Sequence, residues 1–189
     1  MSTQAYLGID PSLTCTGLGL LLDSDGRLEL RVTEVPTGKL RGTERLRFIR
    51  DSVQDFIKDL PKVFCAIEGA SLYSTNRADA LGQLRGALLV FLEDRRVPTL
   101  EVPPTVLKKW ATRRGSASKK QMQDAAFAKW KRRMSEDEAD ATHLASLAHA
   151  YYRPVPLEEL ERHKIEVLQG IRVPKARRET VRTHCAMNV

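Results

Sequence analysis

Hydrophobic positions along this chain follow two periods, one of two residues and one near 3.6. Residues 5–10 form a short apolar run closed by an acid, Asp10, which predicts a buried strand. Pro11-Ser12 turns the chain. In residues 13–22, Leu18, Leu20 and Leu22 share one side while the small Gly17 and Gly19 take the other. Asp23-Ser24-Asp25-Gly26 is a strong hairpin signal, and residues 27–35 alternate again, Leu28, Leu30 and Val32 against Arg27, Glu29 and Arg31. The pattern predicts a three-stranded antiparallel meander.

The period then lengthens. Leu46, Ile49, Val53, Phe56, Ile57 and Leu60 fall on one stripe of a helix over residues 43–60, stopped by Pro61. Residues 63–68 (VFCAIE) predict a buried strand parallel to an earlier one. A polar loop through Asn76 leads to a helix over 78–94. Its Gly82 and Gly86 cost helix stability and so predict close packing against a neighbour. A short strand follows at 99–102, and Pro103-Pro104 opens a short helix carrying Lys108 and Lys109. Ser118 with Gln121 and Ser135 with Glu138 read as capping boxes. They open helices running to about residue 133 and over 136–152; Pro154 and Pro156 end the second.

The order β-β-β-α-β-α-β-α-α-α predicts an α/β fold. Its five-stranded mixed sheet has three antiparallel strands, then parallel βα units, flanked by helices. That is the order of the RNase H-like fold. Residues 1–152 form the expected domain. Residues 153–189 form a basic extension, with a short helix at 157–168 and a flexible tail.

Charge changes the picture. The chain of 189 residues carries a formal +7. Residues 105–133 hold ten lysines or arginines against one acid, Asp124, a net +9 that exceeds the whole-chain value. A solvated helix face is the ordinary reading of such a run; concentration of the entire excess in one stretch favours nucleic acid. Three scattered cysteines, Cys15, Cys65 and Cys185, form no CxxC or Cys/His cluster, so they read as reduced thiols rather than zinc ligands. No apolar run spans a bilayer, and the N-terminus lacks a secretion-signal pattern. The expected location is the cytoplasm, with no membrane partner.

Four acids carry the candidate chemistry. Asp10 and Glu68 end the first and fourth strands, and in an open α/β sheet ligand sites gather at strand carboxyl ends. Asp137 and Asp140 lie three apart on the last helix, hence on one face. Leu144, Leu147, Ala148 and Tyr151 continue that face toward the sheet. Each acid has an ordinary alternative: a turn former, a strand-end surface acid, or first-turn helix acids favoured by the dipole. Together they predict a cluster whose mutual repulsion divalent cations would relieve. Oxygen-only donors suit Mg²⁺, with Mn²⁺ as a substitute, over zinc. His143 flanks this face; assisting proton transfer or touching a metal is one reading, a plain helix-surface histidine is at least as ordinary, and it stays outside the catalytic set.

These residues resemble a known family, the RuvC-type Holliday junction resolvases. LGIDPSLTCTGLGLL is similar to its first-strand motif, AIEGA to its second, and LGQLRGALL to the glycine-containing helix of its dimer interface. VPPTVLKKWATRRGSASKKQMQ resembles its basic segment and DEADATHLA its final helix motif. The resemblance implies a crossover junction endodeoxyribonuclease: a homodimer that nicks opposed strands of four-way, and in phage-type members other branched, DNA. Recombination, repair or replication would supply that DNA. It implies Asp10, Glu68, Asp137 and Asp140 as catalytic metal ligands for two ions. Lys108 and Lys119 fall at the family's DNA-contacting lysines. Lys109, Arg113, Arg114 and Lys120 extend the basic surface, and Tyr73 and Arg77 lie in the loop that probes the junction.

Two other readings compete with this one. A sugar kinase or actin-like ATPase shares the core but needs a second such domain and a Gly-rich adenosine motif. A non-catalytic junction-binding module has no use for four acids facing DNA, because uncompensated acids weaken phosphate binding.

Overall fold

The computed structural model describes residues 3–60, 62–69, 78–153 and 157–171. Five strands form one mixed sheet: β1 (Gln4–Asp10), β2 (Cys15–Ser24), β3 (Arg27–Pro36), β4 (Val63–Glu68) and β5 (Thr99–Val102). Their spatial order is β3-β2-β1-β4-β5. β1–β2 and β2–β3 are antiparallel, while β1–β4 and β4–β5 are parallel, as the meander followed by βα units predicts. Asp25 and Gly26 both take positive φ, 53° and 91°. That is the primed turn whose twist suits a two-residue hairpin. β2 begins at Cys15 rather than at residue 13. Residues 11–14 are spent in a turn, in which the Ser12 amide donates to Thr16 Oγ1 at 3.2 Å and Thr16 Oγ1 donates to the Ser12 carbonyl at 2.8 Å.

Alternation along the strands feeds two cores. On one face Ala5, Leu7, Ile9, Leu18, Leu20 and Leu22 pack under α1 (Gly42–Ile57) and α2 (Ala78–Asp94), meeting Ile49, Val53, Ile57, Leu84, Leu88 and Leu92. On the other, Tyr6, Leu21 and Ala66 pack under α5 (Glu136–Tyr152). Beside α5 stand α3 (Pro104–Thr112), α4 (Lys119–Trp130) and α6 (Arg162–Gly170). Among the described residues no helix is long and apolar enough to cross a membrane.

How α5 reaches the sheet decides where the acids go. A Cβ on Gly8 would lie 2.0 Å from the Ala141 carbonyl oxygen, and one on Gly17 would lie 2.1 Å from that of Asp137. Only glycine lets the α5 backbone sit directly on β1 and β2. Both predicted capping boxes form. The Glu138 amide donates to Ser135 Oγ (3.1 Å) and the Ser135 amide to Glu138 Oε2 (3.0 Å). Ser118 and Gln121 exchange the same pair at α4. At the far end of α5, the buried Asp23 carboxylate accepts from the Gly26 amide (2.8 Å), from His149 and from Arg153. Burial alone would raise this carboxyl; those donors outweigh it and hold it below the usual range.

Two expectations are corrected. α4 stops at Trp130, not near residue 133, because Lys131 turns left-handed (φ 54°) and its amide closes on the Phe127 carbonyl. The short helix expected over 157–168 is a 3-10 turn (Leu157–Glu159) followed by α6. The close packing expected at Gly82 and Gly86 is not supplied by the described residues of one chain, where a Cβ at either would meet no atom within 4 Å. Both glycines lie on an open side of α2 together with the exposed Gln83 and Val90.

Candidate active site

Ile9 pairs with Ile67 in the parallel β1–β4 ladder. Asp10 and Glu68 each follow that pair by one residue, so strand geometry alone makes them neighbours. Both share the parity of Tyr6 and Ala66, which face α5. Asp137 and Asp140, at the start of α5, are lowered onto the same place by the close approach at Gly17 and Gly8.

The electrostatics bind the four into one unit. Burial raises the Asp10 carboxyl well above its ordinary value, and the charges of Glu68, Asp140 and Asp137 add to it. Glu68 is pushed up to about 7 by burial and then by Asp140, with the Asp10 hydrogen bond and Lys108 pulling the other way. Asp140 rises to about 6 by burial, opposed by Lys108 and Lys119. Asp137 is raised by burial and opposed by a hydrogen bond from Cys15. Such a cluster keeps protons when no cation balances it, and Asp10 is then the donor to Glu68. Asp140 Oδ1 is buried and finds no hydrogen-bond partner among the described residues.

Two neighbours escaped the sequence reading. The Cys15 sulfur, a Glu34 oxygen and an Asp137 oxygen lie within 4.8 Å of one another. Burial pushes the Cys15 thiol up to about 11, so it stays protonated and donates to Asp137. The hairpin register carried the signal for Glu34: Gly17 pairs with Asp10 on one side and Glu34 on the other. His143 is neither a surface residue nor turned toward the acids. It is buried, with Nε2 3.0 Å from the Met122 carbonyl, and burial lowers it to about 4, so it is neutral.

The basic residues divide. Lys108, on α3, acts electrostatically on Glu68 and Asp140. Lys119 pairs with Glu136 and acts on Asp137 and Asp140. Lys109 pairs with Glu166 at 2.9 Å and Arg113 with Glu161, both partners flanking or lying on α6. Among the described residues Lys108, Arg114 and Lys120 meet no carboxylate within 4.0 Å. Tyr73 and Arg77 lie outside the described residues.

Comparison with known proteins gives the family. The family model described as crossover junction endodeoxyribonuclease RuvC matches residues 6–149. A protein of that name from Hydrogenovibrio crunogenus is 32% identical over 155 residues, covering 79% of this chain and 88% of the relative. One from Pasteurella multocida is 32% identical over 162 residues, covering 77% and 82%. Among solved structures, RuvC from Thermus thermophilus superposes with a TM-score of 0.64 at 27% identity, covering 78% of this chain and 94% of that one. The same protein in complex with a Holliday junction substrate gives 0.64 at 26%, covering 80% and 94%. With its five-stranded mixed sheet, its four clustered acids and a match over most of its length, the chain belongs to the RuvC family of crossover junction endodeoxyribonucleases.

Proposed function

We propose that this chain is a divalent-metal-dependent endonuclease that nicks four-way and other branched DNA. The observation that carries it is the convergence of Asp10, Glu68, Asp137 and Asp140 at the β1–β4 edge, every one raised by burial, beside Lys108. The donor set fits the metal: all-oxygen, charge-rich, with Asp140 Oδ1 left without a partner. Mg²⁺ is the expected ion, two per site, with Mn²⁺ as a substitute. Bound there, the ions would activate water and stabilise the leaving oxygen of a phosphodiester. The protein's own part is to hold the four carboxylates together and oriented, while bound cations would favour their ionised form. Lys108 steadies negative charge from the α3 side, and Lys119, Lys120 and Arg114 offer phosphate contacts. A binding-only module would gain nothing from four acids buried beside its cations.

The catalytic unit on this reading spans residues 1–152, with 153–189 as an extension, and works in the cytoplasm. Two copies pair through the open side of α2 around Gly82 and Gly86, placing one site on each of two opposed strands. Sedimentation at micromolar concentration is expected to return two chains; a monomer would remove the paired arrangement.

The metal reading has a test that needs no DNA. Each of the four acids binds a proton more tightly folded than unfolded. Without metal, their contribution to stability is therefore greatest in acid. It falls as pH rises from the unfolded carboxyl range, about 4, through the folded values of about 6 for Asp140 and about 7 for Glu68. Ions that bind only the folded chain restore it. Thermal unfolding should show little gain from Mg²⁺ or Mn²⁺ near pH 5 and a large gain near pH 8, by linkage. A gain independent of pH, or one unchanged in Asp140→Asn, would place the metal elsewhere.

A further inference from the structure

α6 lies beyond the residues that the family model matches, yet it is not a loose appendage. Val167 is buried, and Leu168 and Ile171 pack with it against the α3 side of the second core. His163 Nε2 donates to the Trp110 carbonyl at 3.2 Å, and the Lys164 ammonium sits over the Trp110 ring. This docking brings two carboxylates onto the basic segment. Glu166 takes Lys109 at 2.9 Å as well as Arg162 of its own helix at 3.4 Å, and Glu161 takes Arg113 as well as Lys164 at 3.0 Å. Residues 157–171 carry four acids and two lysines or arginines, against the strongly cationic stretch they cover.

We propose that residues 157–171 form an acidic strap that limits how many DNA phosphates this chain engages, with Glu161 and Glu166 as its determinants. Both carboxylates stand where phosphate oxygens would otherwise stand on Lys109 and Arg113. The inference rests on the DNA-binding reading above. The ion pairs are surface ones, with side chains 41% to 69% exposed, so each is worth little to folding. Their consequence is for binding. A cation already neutralised by its own chain displaces fewer counterions from DNA and contributes less to the salt dependence. Lys108, Arg114 and Lys120, which carry no such partner, are left as the principal phosphate contacts of the segment. The strap thereby trades non-specific DNA affinity for reliance on the cations it leaves unpaired.

The test is the salt dependence of junction binding by the full chain, in EDTA to prevent cleavage. Glu161→Gln with Glu166→Gln should bind more tightly than wild type at low salt. The slope of log K against log salt should steepen by about 0.9 for each phosphate newly neutralised, and so by about 1.8 for each chain bound. Glu158→Gln with Glu159→Gln removes the same charge from exposed acids of the same segment that form no ion pair among the described residues. That control should leave the slope unchanged. Adding Lys109→Gln and Arg113→Gln to the first variant should return the slope to the wild-type value. A wild-type slope in Glu161→Gln with Glu166→Gln would overturn the strap, as would an equal steepening in the control pair. If wild type itself shows no salt-dependent junction binding, the DNA-binding reading falls first, and that outcome is distinct from either.

Discussion

Asp10→Asn is expected to abolish nicking of a four-way junction while leaving junction binding intact. Asp10 is the centre of the cluster: Glu68, Asp140 and Asp137 all act on it, and it shares a hydrogen bond with Glu68. The amide keeps the shape of the carboxylate but removes the negative charge a divalent ion needs. It also leaves an NH₂ aimed at neighbours that are acceptors. The loss should reach about three orders of magnitude, on the scale of removing a principal electrostatic stabiliser. Binding should survive or tighten, because one acid facing the phosphates has gone. Relief of crowding among the buried acids should also raise stability without metal at neutral pH. Quantified nicking under single-turnover conditions, alongside a binding isotherm, separates the effects. Nicking within a few fold of wild type would remove Asp10 from the chemistry.

Gly8→Ala should be as damaging to the fold as Asp10→Asn is to the reaction. The added methyl would lie 2.0 Å from the Ala141 carbonyl oxygen and 2.4 Å from the Ala145 nitrogen. Both are backbone atoms of a helix packed on the sheet, so no side-chain rotation relieves the overlap. α5 must lift off β1, opening the core around Tyr6, Leu144 and Ala148. The cost belongs with the exceptional substitutions, about 4 kcal/mol or more. For a chain of this size that is a fall in unfolding temperature of about 10 °C or more. Because α5 carries Asp137 and Asp140, any folded fraction should also lose metal-dependent stabilisation. An unfolding temperature within about 2 °C of wild type, under 1 kcal/mol on the same scale, would show that the helix does not rest on Gly8.

The parts of this molecule legible in its sequence are those with short repeats or local caps. Alternation in residues 15–36 and the Asp25-Gly26 turn announce the hairpins. Ser135 and Glu138 mark where α5 begins, and so set the register of Asp137 and Asp140. Asp10 and Glu68 could be paired because a strand after a helix returns parallel to an earlier one. What escaped has no local pattern. Lys109 and Glu166 are 57 residues apart, and nothing near either announces the other. Arg113 reads as a DNA contact in the sequence, yet in the fold it is held by Glu161. His143 lies on the same helix as the acids, but a helix has several faces, and α4 claims this one through the Met122 carbonyl. Gly82 and Gly86 show the converse: a sequence signal for close packing that no contact within the described chain uses.

The clustered charge points to metal, and the basic segment and the family point to DNA. One measurement joins the two: wild-type protein acting on a four-way junction with each strand end-labelled in turn, with a fork, a flap and a linear duplex alongside. In EDTA no cleavage is expected. With Mg²⁺ or Mn²⁺ the expected products are paired, ligatable nicks in two opposed strands of the junction, at related positions, with little cutting of linear duplex. Binding without nicks in either metal, or cutting of linear duplex as fast as of the junction, would contradict the branched-DNA nuclease reading.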